Sequence, residues 1–148
     1  MRILNLIDLP PIWTAVTIAA CWGISRYSAP LPDSMRYSGW LLIAVAVLLA
    51  VWAVQHLHRA GTAVMPKRTP RALVRTGPYR FSRNPIYVAD LLAVVGAAFA
   101  FGQPAGAVLA PMLGLVLYVR FIRSEEACLA ERFEHMYDAW RAEIPRWI

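Results

Sequence analysis

The sequence predicts an all-α integral membrane protein with four transmembrane helices, a cytoplasmic loop and a C-terminal amphipathic helix. Of its 148 residues, 59% are hydrophobic and 16% are charged, whereas a soluble domain carries about 25% charged residues. One charged side chain, that of Asp90, is found in four long stretches of the chain, 10–25, 39–55, 86–101 and 104–119. The exclusion of charge from long apolar stretches is typical of helices that face lipid.

The four predicted spans cover residues of about 10–26, 39–57, 86–101 and 104–122. Their uncharged parts are slightly shorter than the roughly 20 residues that cross a hydrocarbon layer of about 30 Å. Flanking Trp, Tyr and Arg side chains extend such spans by reaching the interface. A soluble helical bundle is the alternative, but it requires a polar stripe along each helix, and residues 41–54 offer none.

The distribution of basic residues predicts the orientation of the chain. The loop at 55–84 contains no acidic residue, and its basic residues are Arg59, Lys67, Arg68, Arg71, Arg75, Arg80 and Arg83. The positive-inside rule therefore places this loop and both termini on the cytoplasmic side. Such a loop could also serve only as a topology signal or as a patch for anionic lipids.

The last predicted element is an amphipathic helix that ends at Pro145. Apolar residues recur in it at spacings of three and four, which predicts one apolar face. They are Leu129, Phe133, Met136, Tyr137, Trp140 and Ile144. We expect this helix to lie along the membrane surface or to fold back over the loop.

Two motifs that flank the last two spans could carry chemistry, although each also has a structural interpretation. Gly77-Pro78-Tyr79 and the run 83–87 precede the third span, where Asn84 and Pro85 also suit the start of a helix. Glu125 and Glu126 follow the fourth span, where acidic residues also favour a helix N-terminus.

Asp90 is a third candidate, because an ionisable group inside a membrane span is costly and is by default a functional hypothesis. Its structural alternative is a salt bridge to Arg120 or Arg123. His56 and His58 have no neighbouring cysteine or carboxylate ligand, so a metal site is not predicted. The basic loop is too closely tied to the membrane to predict nucleic-acid binding.

Read in order, the polar half of the chain follows a known pattern: Gly-x-Tyr, Arg-His-Pro-x-Tyr at the start of a membrane helix, Glu-Glu, an aromatic helix and a closing Pro-Arg. The corresponding residues are Gly77, Tyr79, Arg83, Asn84, Pro85, Ile86, Tyr87, Glu125, Glu126, Leu129, Phe133, Tyr137, Pro145 and Arg146. This order resembles the superfamily of isoprenylcysteine carboxyl methyltransferases and phospholipid methyltransferases, over residues of about 60–147.

The resemblance implies S-adenosylmethionine-dependent methyl transfer to a membrane-embedded lipid or isoprenoid-like acceptor, at a carboxyl oxygen or an amine nitrogen. It implies one domain, 1–148, whose cofactor-binding half covers about 60–147. The cofactor contacts that it implies are Arg71, Ala72, Leu73, Val74, Tyr79, Asn84, Pro85, Ile86, Tyr87, Glu125 and Glu126. The candidate catalytic residues are Arg120 and Arg123, which could orient a carboxylate acceptor, and Asp90, which could take a proton from an amine.

The sequence departs from the family pattern in two ways, which limit the catalytic roles and the acceptors that the resemblance implies. Asn84 replaces the family histidine, and because an amide does not titrate, no acid–base role transfers to this position. The chain also has fewer spans than the eukaryotic prenylcysteine enzymes, which favours a small lipid acceptor over a prenylated protein.

Two other classes remain open from the sequence. Residues 85–91 also resemble a pattern of membrane sterol reductases, which use NADPH and are much longer, and Asp90 matches that pattern better than the methyltransferase pattern. The third class is a membrane module that keeps the fold without catalysis.

Overall fold

The computed structural model describes residues 9–25, 31–62 and 70–148, and the regular structure in these ranges is helical. The α-helices are α1 (Pro10–Ser25), α2 (Asp33–Arg59), α3 (Pro85–Ala100), α4 (Leu109–Leu117) and α5 (Arg123–Glu143). Two 3-10 helices, Gly77–Arg80 and Pro104–Val108, and one π-helix, Tyr118–Ile122, lie between them.

Within the described residues, two helical runs are long and apolar enough to cross a membrane. They are Asp33–Arg59, with a mean hydropathy of 2.2, and Pro104–Glu143, with a mean hydropathy of 1.9. Helix α3 is apolar but has only 16 residues. The helical fold and a membrane location are thus supported, whereas the count of four spans stays a prediction.

The helix boundaries differ from the sequence prediction in two places. Helix α2 begins at Asp33, six residues before the predicted start of the second span, because the polar run 33–38 continues the helix beyond the apolar stretch. The predicted fourth span and the C-terminal helix belong to one helical run, Pro104–Glu143. The run continues past the apolar residues through the π-helix, without an intervening loop.

Helices α2 and α3 cross with their backbones in contact at Gly39 and Gly96. A Cβ atom on Gly39 would overlap the backbone nitrogen of Ala100 and lie 2.6 Å from the carbonyl oxygen of Gly96. A Cβ atom on Gly96 would lie 2.9 Å from the carbonyl oxygen of Gly39. Small residues allow this approach, which packs helices where burial from water is not available as a driving force.

Two apolar clusters hold the helices together. The membrane cluster joins α1, α3, α4 and the π-helix through the buried residues Cys21, Tyr87, Val94, Ala98, Ala110, Leu113, Leu117, Phe121 and Ile122. The loop cluster joins the end of α2, the loop and α5 through the buried residues Ala53, Val74, Tyr79, Tyr137 and Trp140. Residues 73–79 of the loop are therefore packed between two helices.

Helix α5 folds back over the loop because it is broken in its second half. Glu134 has φ 41° and ψ −118°, outside helical values. Beyond this break Tyr137 and Trp140 are buried against the loop, whereas Met136 is 59% exposed. Met136, which was predicted to share the apolar face, is therefore not buried with Tyr137 and Trp140.

Candidate functional site

The start of α3 is held by the C-terminal segment of the chain. The backbone N–H of Arg83 donates to the carbonyl oxygen of Pro145 at 3.0 Å. The hydroxyl of Ser82 and the side-chain amide of Asn84 both donate to the carbonyl oxygen of Arg146, at 3.2 and 3.1 Å. Asn84 stands before the helix as predicted, but it makes no side-chain capping bond, since its amide is directed to the C-terminal segment.

Tyr87 and Glu125 join α3 to α5 through one short hydrogen bond. The Tyr87 hydroxyl donates to Oε1 of Glu125 at 2.9 Å, and the Tyr87 side chain is 6% exposed. Glu125 lies beyond the apolar segment 104–122, and burial raises the pKa of its carboxyl. The hydrogen bond from Tyr87 opposes that rise, and the neighbouring Glu126 adds to it.

Glu126 is bridged by two arginines from distant parts of the chain. Its Oε1 atom forms an ion pair with Nη1 of Arg83 at 3.1 Å, and Arg146 donates to both carboxylate oxygens at 2.9 Å. Arg83 also donates to the Tyr137 hydroxyl at 3.0 Å. The Arg83 and Glu126 side chains are 8% and 16% exposed, and the Arg146–Glu126 contact is bidentate; shielded and bidentate pairs are both stronger than ordinary surface pairs. We call Arg83, Glu126, Tyr137 and Arg146 the junction network.

Tyr79 lies on the loop side of the junction between α3 and α5. The indole N–H of Trp140 donates to the carbonyl oxygen of Tyr79 at 3.3 Å. Burial, and then the nearby Glu125 carboxylate, raise the pKa of the Tyr79 hydroxyl. The turn before Tyr79 depends on Gly77, which has φ +61° and lies against the ring of His56, so a side chain at this position would overlap that ring.

A polar groove of about 250 Å³ runs along α5 beside the junction network. Its lining residues are Tyr118, Arg123, Glu126, Ala127, Ala130, Tyr137 and Arg141. The guanidinium of Arg146 lies 4.8 Å from the centre of the Tyr118 ring, so the C-terminal segment forms part of the surroundings of the groove.

The structure brings most of the expected cofactor residues to one place. Tyr87, Glu125 and Glu126 meet at the junction of α3 and α5. Asn84 lies beside them through its bond to Arg146, while Leu73, Val74, Tyr79 and Ile86 pack in or against the loop cluster. Pro85 is buried in the first turn of α3.

Four other expected residues lie apart from that junction. Arg71 is exposed, and the backbone N–H groups of Arg71 and Ala72 donate to the Thr62 hydroxyl, at 2.9 and 3.4 Å. Arg120 lies 5.1 Å from the centre of the Trp13 ring of α1. Asp90 lies one turn further into α3, near the Thr14 side chain, and its Oδ2 atom has no hydrogen-bond partner among the described residues.

Sequence reasoning did not find that the junction is a shared ion-pair network. Arg83, Tyr137 and Arg146 were part of the family pattern, but nothing in their spacing predicted that one carboxylate would hold two of them. Arg141 was also missed, because an arginine on the polar face of an amphipathic helix carries no signal by itself.

The comparison with protein families agrees with this geometry. The model of the phospholipid methyltransferase family matches residues 35–136, from the start of α2 to the middle of α5. The match includes Tyr87, Glu125 and Glu126 and ends before Tyr137 and Arg146. No curated protein matches the chain. Because the matched region is more than half of the chain and contains the helices that meet at the junction, the chain belongs to the phospholipid methyltransferase family.

Proposed function

We propose that this protein transfers a methyl group from S-adenosylmethionine to a membrane-embedded lipid or isoprenoid-like acceptor, at the junction of α3 and α5. In this proposal residues 1–148 form one domain, and residues of about 60–147 form its cofactor-binding half. The chain crosses the membrane four times, with both termini and the loop at 55–84 on the cytoplasmic side. Family membership implies methyl transfer at a membrane. The identity of the methyl donor, the class of acceptor and the membrane topology are proposed here in addition.

The contact between Tyr87 and Glu125 is the observation that carries the proposal. These residues are 38 positions apart and belong to different helices, yet their oxygen atoms are 2.9 Å apart. The contact lies beside a loop whose backbone is bonded to the C-terminal segment. A carboxylate held in this way, partly buried at the end of an apolar helix, is expensive unless it serves binding.

The side chains at the junction fit S-adenosylmethionine chemically. The Glu125 carboxylate suits the ribose hydroxyls as a hydrogen-bond acceptor, and the Tyr79 ring suits the adenine. The Nε atom of Arg83 is buried and has no hydrogen-bond partner among the described residues. A donor left in this state suits the carboxylate of the amino-acid end of the cofactor.

The contribution of this chain to the reaction would be alignment and exclusion of water. When bound, the cofactor supplies a methyl group on a positively charged sulfur. Displacement at that carbon requires an in-line approach of the acceptor and little acid–base assistance. The junction network and the bonds from Ser82 and Asn84 to the C-terminal segment hold the loop over the site.

The remaining candidates would act on the acceptor. A carboxylate acceptor needs a cation to orient it, and Arg123 would take this role, since it lines the same groove as Glu126, whereas Arg120 lies over α1. An amine acceptor must lose a proton first, and Asp90 has a buried oxygen atom to accept it.

Binding of S-adenosylmethionine to the purified protein in detergent tests the proposal. We expect saturable binding by calorimetry, and a loss of about tenfold or more in affinity for Glu125→Gln, because one set of charge-assisted hydrogen bonds is removed. Tyr87→Phe should weaken binding less, since the carboxylate remains but is no longer oriented. The matched control is Glu143→Gln, which removes an exposed carboxylate of the same helix.

The same titration with NADPH distinguishes the alternatives. Tight NADPH binding without binding of S-adenosylmethionine would replace the proposal by a reductase. Binding of neither ligand would favour a non-catalytic module.

The acceptor atom is identified by incubating the protein with methyl-labelled donor and total membrane lipids. Label in a methyl ester is released by mild alkaline hydrolysis, whereas label on nitrogen is retained. Alkali-resistant label that is lost with Asp90→Asn would assign the amine reaction, and alkali-labile label that is lost with Arg123→Gln would assign the carboxyl reaction.

A further inference from the structure

The turn before α3 holds an aromatic ring on the outside of the protein. Phe81 is 64% exposed, although Tyr79 and Ser82 on either side of it are buried. The backbone N–H groups of Phe81 and Ser82 both donate to the carbonyl oxygen of Pro78, at 3.1 and 3.2 Å. Because the backbone is fixed on both sides of Phe81, the exposure of this ring is a property of the folded loop.

Contact with α2 places this turn at the end of a membrane helix. Gly77, the first residue of the turn, lies against the ring of His56 in the last turn of α2. The neighbouring Trp52 ring, packed edge-on against His56, is 43% exposed. Exposed aromatic rings at the end of an apolar helix are typical of the interface between lipid and water.

Contact with the C-terminal segment indicates the same level. The Ser82 hydroxyl donates to the carbonyl oxygen of Arg146 at 3.2 Å. Trp147, the next residue, is partly buried and packs against the membrane cluster. Phe81 and Trp147 therefore flank one pair of bonded residues, beside the ends of the membrane helices.

The charge next to the exposed ring is positive. Arg80 directly precedes Phe81 and is exposed. The loop arginines before and after it, at positions 75 and 83, pair with carboxylates of α5, whereas Arg80 has no ion pair among the described residues. Residues 55–84 contain no acidic side chain that could neutralise it. The turn thus presents an apolar ring and a cation together.

We propose that Arg80, Phe81 and Trp147 form a docking tip that binds anionic phospholipids of the surrounding bilayer. Phe81 inserts among the lipid headgroups beside Trp147, and the Arg80 guanidinium binds a lipid phosphate with two parallel hydrogen bonds. An acidic protein would satisfy the charge as well, but the position of the tip beside the ends of the membrane helices favours the bilayer. Arg80 and Phe81 do not line the groove along α5, so these lipids are distinct from the methyl acceptor, and the docking does not depend on the proposed reaction.

The position of the Phe81 ring in bilayer nanodiscs tests the docking. A fluorophenylalanine replaces Phe81 in the full chain, and the relaxation of its fluorine signal is measured with two paramagnetic agents. One is a nitroxide on the lipid acyl chain near the headgroup, and the other is a neutral, water-soluble gadolinium chelate. The nanodiscs contain phosphatidylcholine alone or with about a third of phosphatidylglycerol.

We expect the anionic nanodiscs to increase relaxation by the nitroxide and to decrease relaxation by the chelate. Salt at about 0.5 M should remove the difference between the two kinds of nanodisc, because screening weakens the attraction between exposed charges. In the anionic nanodiscs, Arg80→Gln should lower the ratio of docked to undocked tip about fivefold, the contribution of one arginine near an anionic membrane surface.

The matched control is Arg36→Gln. It removes an equal charge from a half-exposed arginine near the start of α2, whereas the tip lies at the end of that helix. We expect this variant to leave the ratio of docked to undocked tip unchanged.

Four results would each overturn the inference. Relaxation by the chelate and not by the nitroxide in both kinds of nanodisc would leave the tip in water. Protection from both agents would mean that protein covers the ring, as a second copy of the chain could. Equal relaxation by the nitroxide in both kinds of nanodisc would remove the role of anionic lipid. Equal effects of Arg80→Gln and Arg36→Gln would remove the role of Arg80.

Discussion

Two of the places where α3 meets other helices, its crossing with α2 and its junction with α5, are built in opposite ways. At the crossing with α2, contact depends on the absence of side chains at Gly39 and Gly96. At the junction with α5, contact depends on long polar side chains, Tyr87 with Glu125 and Arg83 with Glu126. The glycine crossing lets two helix backbones approach without polar side chains at the contact, which is how small residues pack helices in lipid. The junction with α5 instead depends on ion pairs and hydrogen bonds between charged and polar side chains of different segments, which suits a position at the membrane surface.

The largest effect is expected at the glycine crossing. Gly39→Ala places a methyl group against the backbone of Ala100 and Gly96, which cannot move aside as a flexible side chain would. We expect a loss of more than about 3 kcal/mol in the free energy of unfolding, measured by denaturant titration in micelles.

The control for the crossing is Gly23→Ala in α1, where an added Cβ atom meets nothing within 4 Å. This variant should be neutral or slightly stabilising, because alanine favours a helix over glycine by about 1 kcal/mol. If both variants had the same stability, the close crossing would be rejected.

The next effect is expected in the junction network. Glu126→Gln leaves the Arg83 guanidinium, 8% exposed, without its carboxylate. We expect a loss of about 2–3 kcal/mol, since the remaining amide oxygen replaces part of the interaction of a buried ion pair. Glu143→Gln breaks the exposed pair with Arg75 and should cost less than about 1 kcal/mol. Equal losses in the two variants would mean that the junction network behaves as a surface pair.

A smaller effect is expected when the hydrogen bond between the helices is removed without a change of shape. Tyr87→Phe keeps the ring in the membrane cluster and removes the donor to Glu125. We expect a loss of about 1–2 kcal/mol in the free energy of unfolding. A double-mutant cycle with Glu125→Gln checks it, because the two changes should be strongly non-additive if the contact exists.

The smallest effect is a change in the pH dependence of stability. Burial raises the pKa of Glu125 above its ordinary value of 4.5, so the folded protein binds this proton more tightly than the unfolded chain does. The stabilisation that comes from this tighter proton binding is therefore present below pH 4.5. It is lost as the pH rises through the higher pKa that Glu125 has in the folded protein. The difference in unfolding free energy between wild type and Glu125→Gln should shift in favour of the variant from about pH 4 to about pH 8. A constant difference would contradict the raised pKa.

Some features of the sequence were sufficient to predict helix boundaries and site residues, and others were not. The helices were predicted to within one or two residues at Pro10–Ser25 and at α3, because prolines and charge-free runs mark their limits. The start of α2 and the continuity of the last helical run were missed, since polar residues continue a helix as readily as they end one. The group of Tyr79, Tyr87 and Glu125 was reached through the order of a family pattern and not through periodicity.

The sequence by itself determined a helical, lipid-compatible chain with a basic loop, because charge-free runs and the spacing of prolines act locally. Only the tertiary structure decided that Glu126 holds Arg83 and Arg146, that Arg120 and Arg123 face different surroundings, and that Arg123 and Arg141 share one groove. These relations join residues far apart in the chain, and they depend on the phase of the π-helix and the break at Glu134. No local pattern specifies such phases, because they result from the packing of one helix against another.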